Sequence, residues 1–412
     1  MNNTFISILP WGRQMTDIYQ FQGFINSSKH LLVVFLFLLS GCGSSSSDNP
    51  VINPQPAVYI YHQPVNINDG WTTADATTLG INTDALALVV QNIIDQEEDF
   101  QYIDGLVVIK DGQLILEETF KTTFDFTDDW SGNREIDLHI LNSVTKSFTS
   151  ALIGIAIDQQ LIPDVDVLVH DYFQEKFPVQ NWSNLKAGIT LKNWLTMQHG
   201  YLWDEWDVSY LLPSNLNSMM NDSSDPVQFL LDREMATTPG TTFAYSTGVS
   251  YGLGKIVQKV SSMDIHRFME QYLFTPLQIT EYDFWALDGQ LHTGSALYLS
   301  IRDMAKLGQL YLDKGLWNGE RVISEAWVDE STQRYVDNVN WGYGYQWWMR
   351  RFQVNGQTLE SYYADGFGGQ YILVFPEINA IIAFHGNAYT DEEKEHRNVT
   401  RIIEEFLLPE LM

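Results

Sequence analysis

Cysteine is nearly absent: Cys42 is the only one in 412 residues, so one chain can form neither an internal disulfide nor a cysteine-cluster metal site. Positive charge is also scarce. There are 23 Lys and Arg against 52 Asp and Glu, a formal charge of -29, and such a surface repels nucleic acid instead of gathering it. None of the nine histidines stands in an H-E-x-x-H or similar ligand pair, which argues against a metallohydrolase. What the chain does have is 45% apolar residues, enough to bury a sizeable core.

The lone cysteine sits in an informative place. Lys29 and His30 precede an apolar run over residues 31–39, which is followed by Ser40-Gly41-Cys42, Gly43 and four serines. The run is too short to span a bilayer, and small residues mark a cleavage point. The segment resembles a bacterial lipoprotein signal, which implies removal of residues 1–41 and lipidation of Cys42. The chain would then sit on the periplasmic face of a membrane, the outer one favoured by Gly43, or at the cell surface. Residues 42–74 read as a flexible tether rich in Ser, Asn, Asp and Pro near its start, with folding expected beyond about residue 70.

Further along, Asn82 or Thr83 caps a helix reaching to about Gln96. Residues 106–109 and 114–118 flank Asp111-Gly112, which predicts a hairpin. From about 143 to 330 the pattern is mainly helical. Helices are expected over 190–198, after Asp225-Pro226, and over 297–312. Strands return at 371–375 and 380–384, and a helix closes the chain over about 391–408. Strands, helices, then strands again predict an α+β domain over residues 75–412: an antiparallel sheet from both chain ends, flanked by helices, with a helical insertion at about 150–330.

Three segments carry chemistry. Ser143-Val144-Thr145-Lys146 opens an apolar helical stretch that includes residues 151–157. Residues three apart share a helix face, so the amine can reach the hydroxyl. Apolar surroundings lower the lysine pKa and leave part of it neutral, as a base must be. The helix start also presents the Ser143 N–H to an oxyanion. Ser183-Asn184-Leu185-Lys186 has the same spacing without an apolar helix behind it, and reads as a loop. The second segment, Tyr245-Ser246-Thr247, offers a tyrosine whose phenolate a nearby lysine would favour and which could relay a proton. In the third, Ala364-Asp365-Gly366-Phe367-Gly368-Gly369-Gln370, small residues let a substrate approach a strand edge, and the Phe367 N–H is a second oxyanion donor.

In this order the three segments resemble the serine beta-lactamase and penicillin-binding-protein superfamily, whose S-x-x-K, Y-x-N and K-T-G-like elements meet in one cleft. The likeness covers roughly residues 75–410. It includes the flanks of Ser143, Leu195-Thr196-Met197 before His199-Gly200, and Trp341-Gly342-Tyr343-Gly344-Tyr345-Gln346-Trp347-Trp348. It looks closest to class C-like esterases, amidases and 6-aminohexanoate-dimer hydrolases. The resemblance implies a serine hydrolase that cleaves a small ester or amide through an acyl-enzyme without cofactor. Ser143 would be nucleophile, Lys146 base and Tyr245 proton relay, with Thr247, Asp365, Gly366, Trp203 and Trp347 around the substrate. Two departures stand out: Thr247 replaces a common Asn, and Ala364-Asp365 occupies the place of a Lys or His that would hold a substrate carboxylate. Weak beta-lactamase and carboxypeptidase activity is the expectation, with those enzymes and a catalytically silent cell-wall binding or receptor protein as the alternatives.

Other segments compete. His292-Thr293-Gly294 matches the third element literally but precedes the predicted helix at 297, and reads as a cleft-lining or structural loop. Gly248-Val249-Ser250-Tyr251-Gly252 imitates the nucleophile elbow of alpha/beta-hydrolases, yet the middle of the chain lacks the alternating strands of that fold. Trp203-Asp204-Glu205-Trp206, with Trp347 and Trp348, could line a pocket suited to a cationic or amphipathic substrate.

Overall fold

Asp111 and Gly112 both adopt left-handed backbone, with φ of 51° and 72°, the combination that lets a two-residue turn match the twist of its strands. The hairpin it closes, Ile103–Lys110 with Gln113–Thr119, forms one side of a nine-stranded sheet. The order continues from Ile103–Lys110 to Ala380–Gly386, Gln370–Phe375, Gln357–Gly366, Trp348–Val354 and two short strands, and Thr72–Thr73 lies outside Gln113–Thr119. Lys110 pairs with Ala380, so both chain ends build one sheet, as the sequence predicts. Every pairing is antiparallel except that of Thr72–Thr73, which runs parallel to Gln113–Leu114. The computed structural model describes residues 58–121, 130–131 and 138–412. The expected signal, Cys42 and the tether up to residue 57 lie outside them.

The strands are apolar on both faces because both faces are covered. Val107, Ile109, Ile372, Val374 and Ile381 face the core shared with the central helices. Leu106, Val108, Leu373, Phe375 and Ile382 face the core shared with Thr83–Ile94 and the C-terminal helix beginning at Glu392–Arg401. This is the period-two alternation of a strand read from two sides. Fully burying each such side chain stabilises the fold by about 1.5–3 kcal/mol, and the helix Thr83–Ile94 takes the Asn82 cap predicted for it.

Between the two sheet halves lies the helical region. Its centre is Thr145–Asp158, entered through a tight turn at Asn142–Val144, and every residue from 145 to 156 is buried. Thr247–Ser261 packs against it. Here Gly254 lies so close to Thr293 that a Cβ would come within 2.3 Å of its hydroxyl. A second, four-stranded sheet joins Trp130–Ser131, Leu138–Ile140, Leu297–Leu299 and Asp283–Phe284.

Three sequence expectations need correction. Residues 297–312 are not one helix: Leu297–Leu299 is a strand paired with Leu138–Ile140, and the helix Ile301–Leu312 starts at the Ser300 cap. Ser183–Lys186 is not a loop. Ser183 caps a short helix, Asn184–Ala187, and the buried Lys186 ammonium donates to the carbonyls of Gln180 and Leu231. The tether does not extend to residue 74, because Tyr59, Tyr61, Asp69 and Trp71 are bound to the folded body. The Tyr61 hydroxyl donates to the Ile115 carbonyl, and Arg302 pairs with Asp69. Aromatic residues spaced among polar ones made this stretch look like a linker. No helix among the described residues is long and apolar enough to cross a membrane.

Candidate active site

The turn at Asn142–Val144 leaves the Ser143 side chain partly exposed at the head of a fully buried helix. One turn on, the Lys146 ammonium lies 2.8 Å from Ser143 Oγ, 2.8 Å from the Gly294 carbonyl and 3.0 Å from Thr247 Oγ1. Lys146 is 1% exposed. Burial pulls its pKa down to about 8, against the opposing pull of the Glu205 and Asp365 carboxyls, so a substantial part of it is neutral in mildly alkaline solution. Tyr245 lies close enough to Ser143 for the serine to act on its phenol, and the tyrosine ring centroid lies 4.8 Å from Lys146 Nζ. Side chains from positions 143, 146 and 245 are therefore gathered around the Lys146 ammonium.

Tyr245 differs from its expected state. Burial first, then the negative charges of Glu205 and Asp365, hold its hydroxyl well above the usual range. It rests as a phenol, a proton donor, because burial disfavours the phenolate and two carboxyls oppose it.

Thr247 turns out to face the machinery and not the substrate. It is 2% exposed, and its hydroxyl accepts from Lys146 while donating to Glu205 Oε1 at 2.6 Å. Glu205, 1% exposed, also accepts from the Thr247 N–H at 2.8 Å, the Trp203 indole at 2.7 Å and the Tyr210 hydroxyl at 2.8 Å. A buried carboxylate with four donors is well satisfied. Through Thr247 it reaches the base, a connection that sequence reasoning missed: Glu205 stood out only as part of an acidic and aromatic quartet. Trp203, expected to touch substrate, is buried and props Glu205.

At the strand end, Gly366 approaches the Leu141 carbonyl so closely that a Cβ there would lie 2.3 Å from it. Only glycine allows that approach. The Asn142 side-chain amide donates to the Phe367 carbonyl at 2.7 Å, tying the 366–369 turn to the serine's own turn. Asn142 has φ of 46°, a conformation Asn tolerates better than most. From the other side Glu395 accepts from the Gly369 N–H at 3.1 Å. Neither the Ser143 nor the Phe367 N–H donates to an acceptor among the described residues, so both are free to serve an oxyanion.

Asp365 does not line this cleft. Its neighbour Ala364 is in the core on the serine's side of the sheet; Asp365 points the opposite way, into a cavity shared with Tyr371, His396 and Arg350, and burial raises its pKa. Strand alternation explains the error: of two adjacent residues only one can face the serine. Together with Glu395 and His396, Asp365 forms the one group of possible metal ligands found among the described residues, with ligand atoms within 4.8 Å of one another. It is on the far side of the strand from Ser143, and His396 already accepts or donates a 2.6 Å bond with Tyr371.

The same parity corrects Trp347, which is fully buried against Tyr311 and Tyr362. Its neighbour Trp348 instead lies near-parallel to Tyr245 at 5.6 Å, and Trp206 lies likewise at 5.2 Å. The competing segments have structural roles. Ser250 is buried and donates to Gln346, while Gly248 and Gly252 make room for Trp203 and Trp194. His292 is buried and accepts from the Gly294 N–H, holding the carbonyl that faces Lys146. The segment 292–294 does precede a strand, contrary to expectation, but that strand belongs to the small sheet.

The family model described as Beta-lactamase matches residues 91–405. The chain belongs to the beta-lactamase family. Among curated relatives of this beta-lactamase family member is the 6-aminohexanoate-dimer hydrolase of Paenarthrobacter ureafaciens, 23% identical over 326 residues, covering 73% of this chain and 76% of that protein. A putative 6-aminohexanoate-dimer hydrolase from Bacillus anthracis superposes with a TM-score of 0.61 at 18% identity, over 75% of this chain and 80% of its own. EstCE1, a hydrolase with promiscuous acyltransferase activity, gives 0.59 at 15% identity, over 77% and 98%. The α+β fold is thus the beta-lactamase and transpeptidase fold, and its hydrolase relatives mark this family member as an enzyme.

Proposed function

We propose that this protein cleaves a small ester or amide through an acyl-enzyme on Ser143. The observation that carries the reading is the 2.8 Å approach of a buried, pKa-depressed Lys146 to Ser143 Oγ. Neutral Lys146 takes the serine proton as Oγ attacks the carbonyl carbon. The oxyanion is received by the N–H groups of Ser143 and Phe367. Tyr245, held as a phenol beside Ser143 and Lys146, passes a proton to the departing alcohol or amine and is reprotonated from Lys146. Water then attacks the acyl group, its proton returning through the same pair, and frees Ser143. The names of the relatives, a 6-aminohexanoate-dimer hydrolase and a hydrolase with promiscuous acyltransferase activity, support the substrate class.

Beta-lactam turnover should be poor. The strand position that would offer a cation to a substrate carboxylate holds the buried Ala364, while Asp365 contributes only negative charge from behind the strand. With purified protein, kcat/KM for p-nitrophenyl butyrate is expected to exceed that for nitrocefin by roughly 100-fold or more. Ser143→Ala should lower the ester rate by about 10³-fold or more. Comparable nitrocefin and ester turnover would overturn the substrate assignment.

We also propose that Cys42 is lipidated and anchors the protein to a bacterial membrane on its outward-facing side. The basic residue, short apolar run and Ser40-Gly41-Cys42 support this. Expressed at full length in a bacterial host, the protein should fractionate with membranes, and Cys42→Ser should release it or leave its precursor uncleaved. Equal fractionation of both forms would refute the anchor.

A further inference from the structure

We infer that Trp206 and Trp348 form a stacking subsite for a planar, neutral or cationic leaving group, an inference that rests on the acyl-enzyme reading above. Tyr245 is the group that hands a proton to the departing alcohol or amine, so the leaving group must pass over its hydroxyl. Around that tyrosine three rings lie nearly parallel: Trp206 at 22° and Trp348 at 25° to Tyr245, and the two indoles at 23° to each other with centroids 6.4 Å apart.

Exposure shows which ring is available. Tyr245 is 7% exposed, whereas Trp206 is 50% exposed. A half-open indole beside a catalytic oxygen leaves apolar surface that a planar group can cover, worth about 0.5–1.5 kcal/mol beyond the area buried. The platform is also held in place. Trp348 meets Tyr343 edge-on at 4.7 Å and Trp341 at 5.4 Å. Trp206 follows the anchored Glu205, and its backbone N–H donates to the Asp204 carboxylate at 2.9 Å. Rings fixed before binding lose little entropy when a ligand stacks on them.

Charge narrows the class. Glu205 and Asp365 both bear electrostatically on Tyr245 and on Tyr343 behind Trp348. An anionic leaving group would be repelled there, and a cationic ring would gain from both the carboxyls and the indole faces.

Benzyl, methyl and 4-carboxybenzyl acetates share one acyl group and have leaving alcohols of similar basicity, so their rates compare leaving-group binding. We expect kcat/KM for benzyl acetate to exceed that for methyl acetate by about 10-fold or more, with 4-carboxybenzyl acetate below benzyl. In Trp206→Ala the benzyl-to-methyl ratio should fall to within about 3-fold of unity while methyl acetate turnover is kept, and Trp206→Phe should retain the preference. An unchanged ratio in Trp206→Ala, an equal loss on all three esters, or a carboxybenzyl rate equal to benzyl would overturn the subsite. If wild type cleaves none of them, or Ser143→Ala cleaves them as fast, the acyl-enzyme reading fails first.

Discussion

Replacing Lys146 with methionine should lower kcat/KM for ester substrates by roughly 10³-fold or more, within the range for loss of a general base. The protein should remain folded, because a thioether of similar length fills the space of the lysine stem and the groups that lose its ammonium, the Ser143 and Thr247 hydroxyls and the Gly294 carbonyl, are uncharged. The wild-type pH profile makes the claim specific. Only the neutral amine accepts the serine proton, and burial sets the Lys146 pKa at about 8. The rate should be low at pH 6, rise through pH 8 and level off above it. In Lys146→Met the residual rate should lose that limb. A limb that persists near pH 8 in the variant belongs to some other group.

The second large effect concerns Glu205. Its carboxylate satisfies the Thr247 N–H, the Thr247 hydroxyl, the Trp203 indole and the Tyr210 hydroxyl. Glu205→Gln keeps the shape but turns one acceptor oxygen into an NH₂ that confronts donors. We expect a loss of about 2–4 kcal/mol in urea unfolding, the scale of buried hydrogen bonds to a charged group left unmade. The pH profile should move as well. The negative charge of Glu205 raises the Lys146 pKa, so removing it lowers that pKa and shifts the rising limb to lower pH. A less stable protein that retains a larger fraction of its plateau rate at pH 7 is the expected combination. A limb that stays put or shifts upward would separate Glu205 from the base.

Much of this site was legible in the sequence because its parts are local. The spacing of Ser143 and Lys146 needs only a helix, and the unbroken apolar residues behind them reveal its burial. The hairpin at Asp111-Gly112 and the strands at both chain ends follow from turn chemistry and alternation. The errors have one physical origin. Which of two adjacent residues faces a cleft depends on strand parity and on partners far away in the chain. That parity exchanged Trp347 for Trp348 and sent Asp365 behind the sheet, while Trp206 took the place expected of Trp203 because the Trp203 indole turns inward to Glu205. Thr247 looked like a substrate contact because its role requires Glu205, 42 residues earlier. Asn142 carries no spacing signal at all; its contact with Phe367 spans 225 residues. Long-range pairs of this kind come from the fold, not from any window of residues.

The most direct test is to catch the covalent intermediate. Protein mixed with p-nitrophenyl butyrate and quenched in acid within the first turnovers should gain the mass of one butyryl group, and peptide mapping should place it on the peptide containing Ser143. Ser143→Ala should show no added mass under the same conditions. An acyl group on Ser250, Ser183 or another residue, or steady ester turnover with Ser143 unmodified and replaceable, would contradict the account.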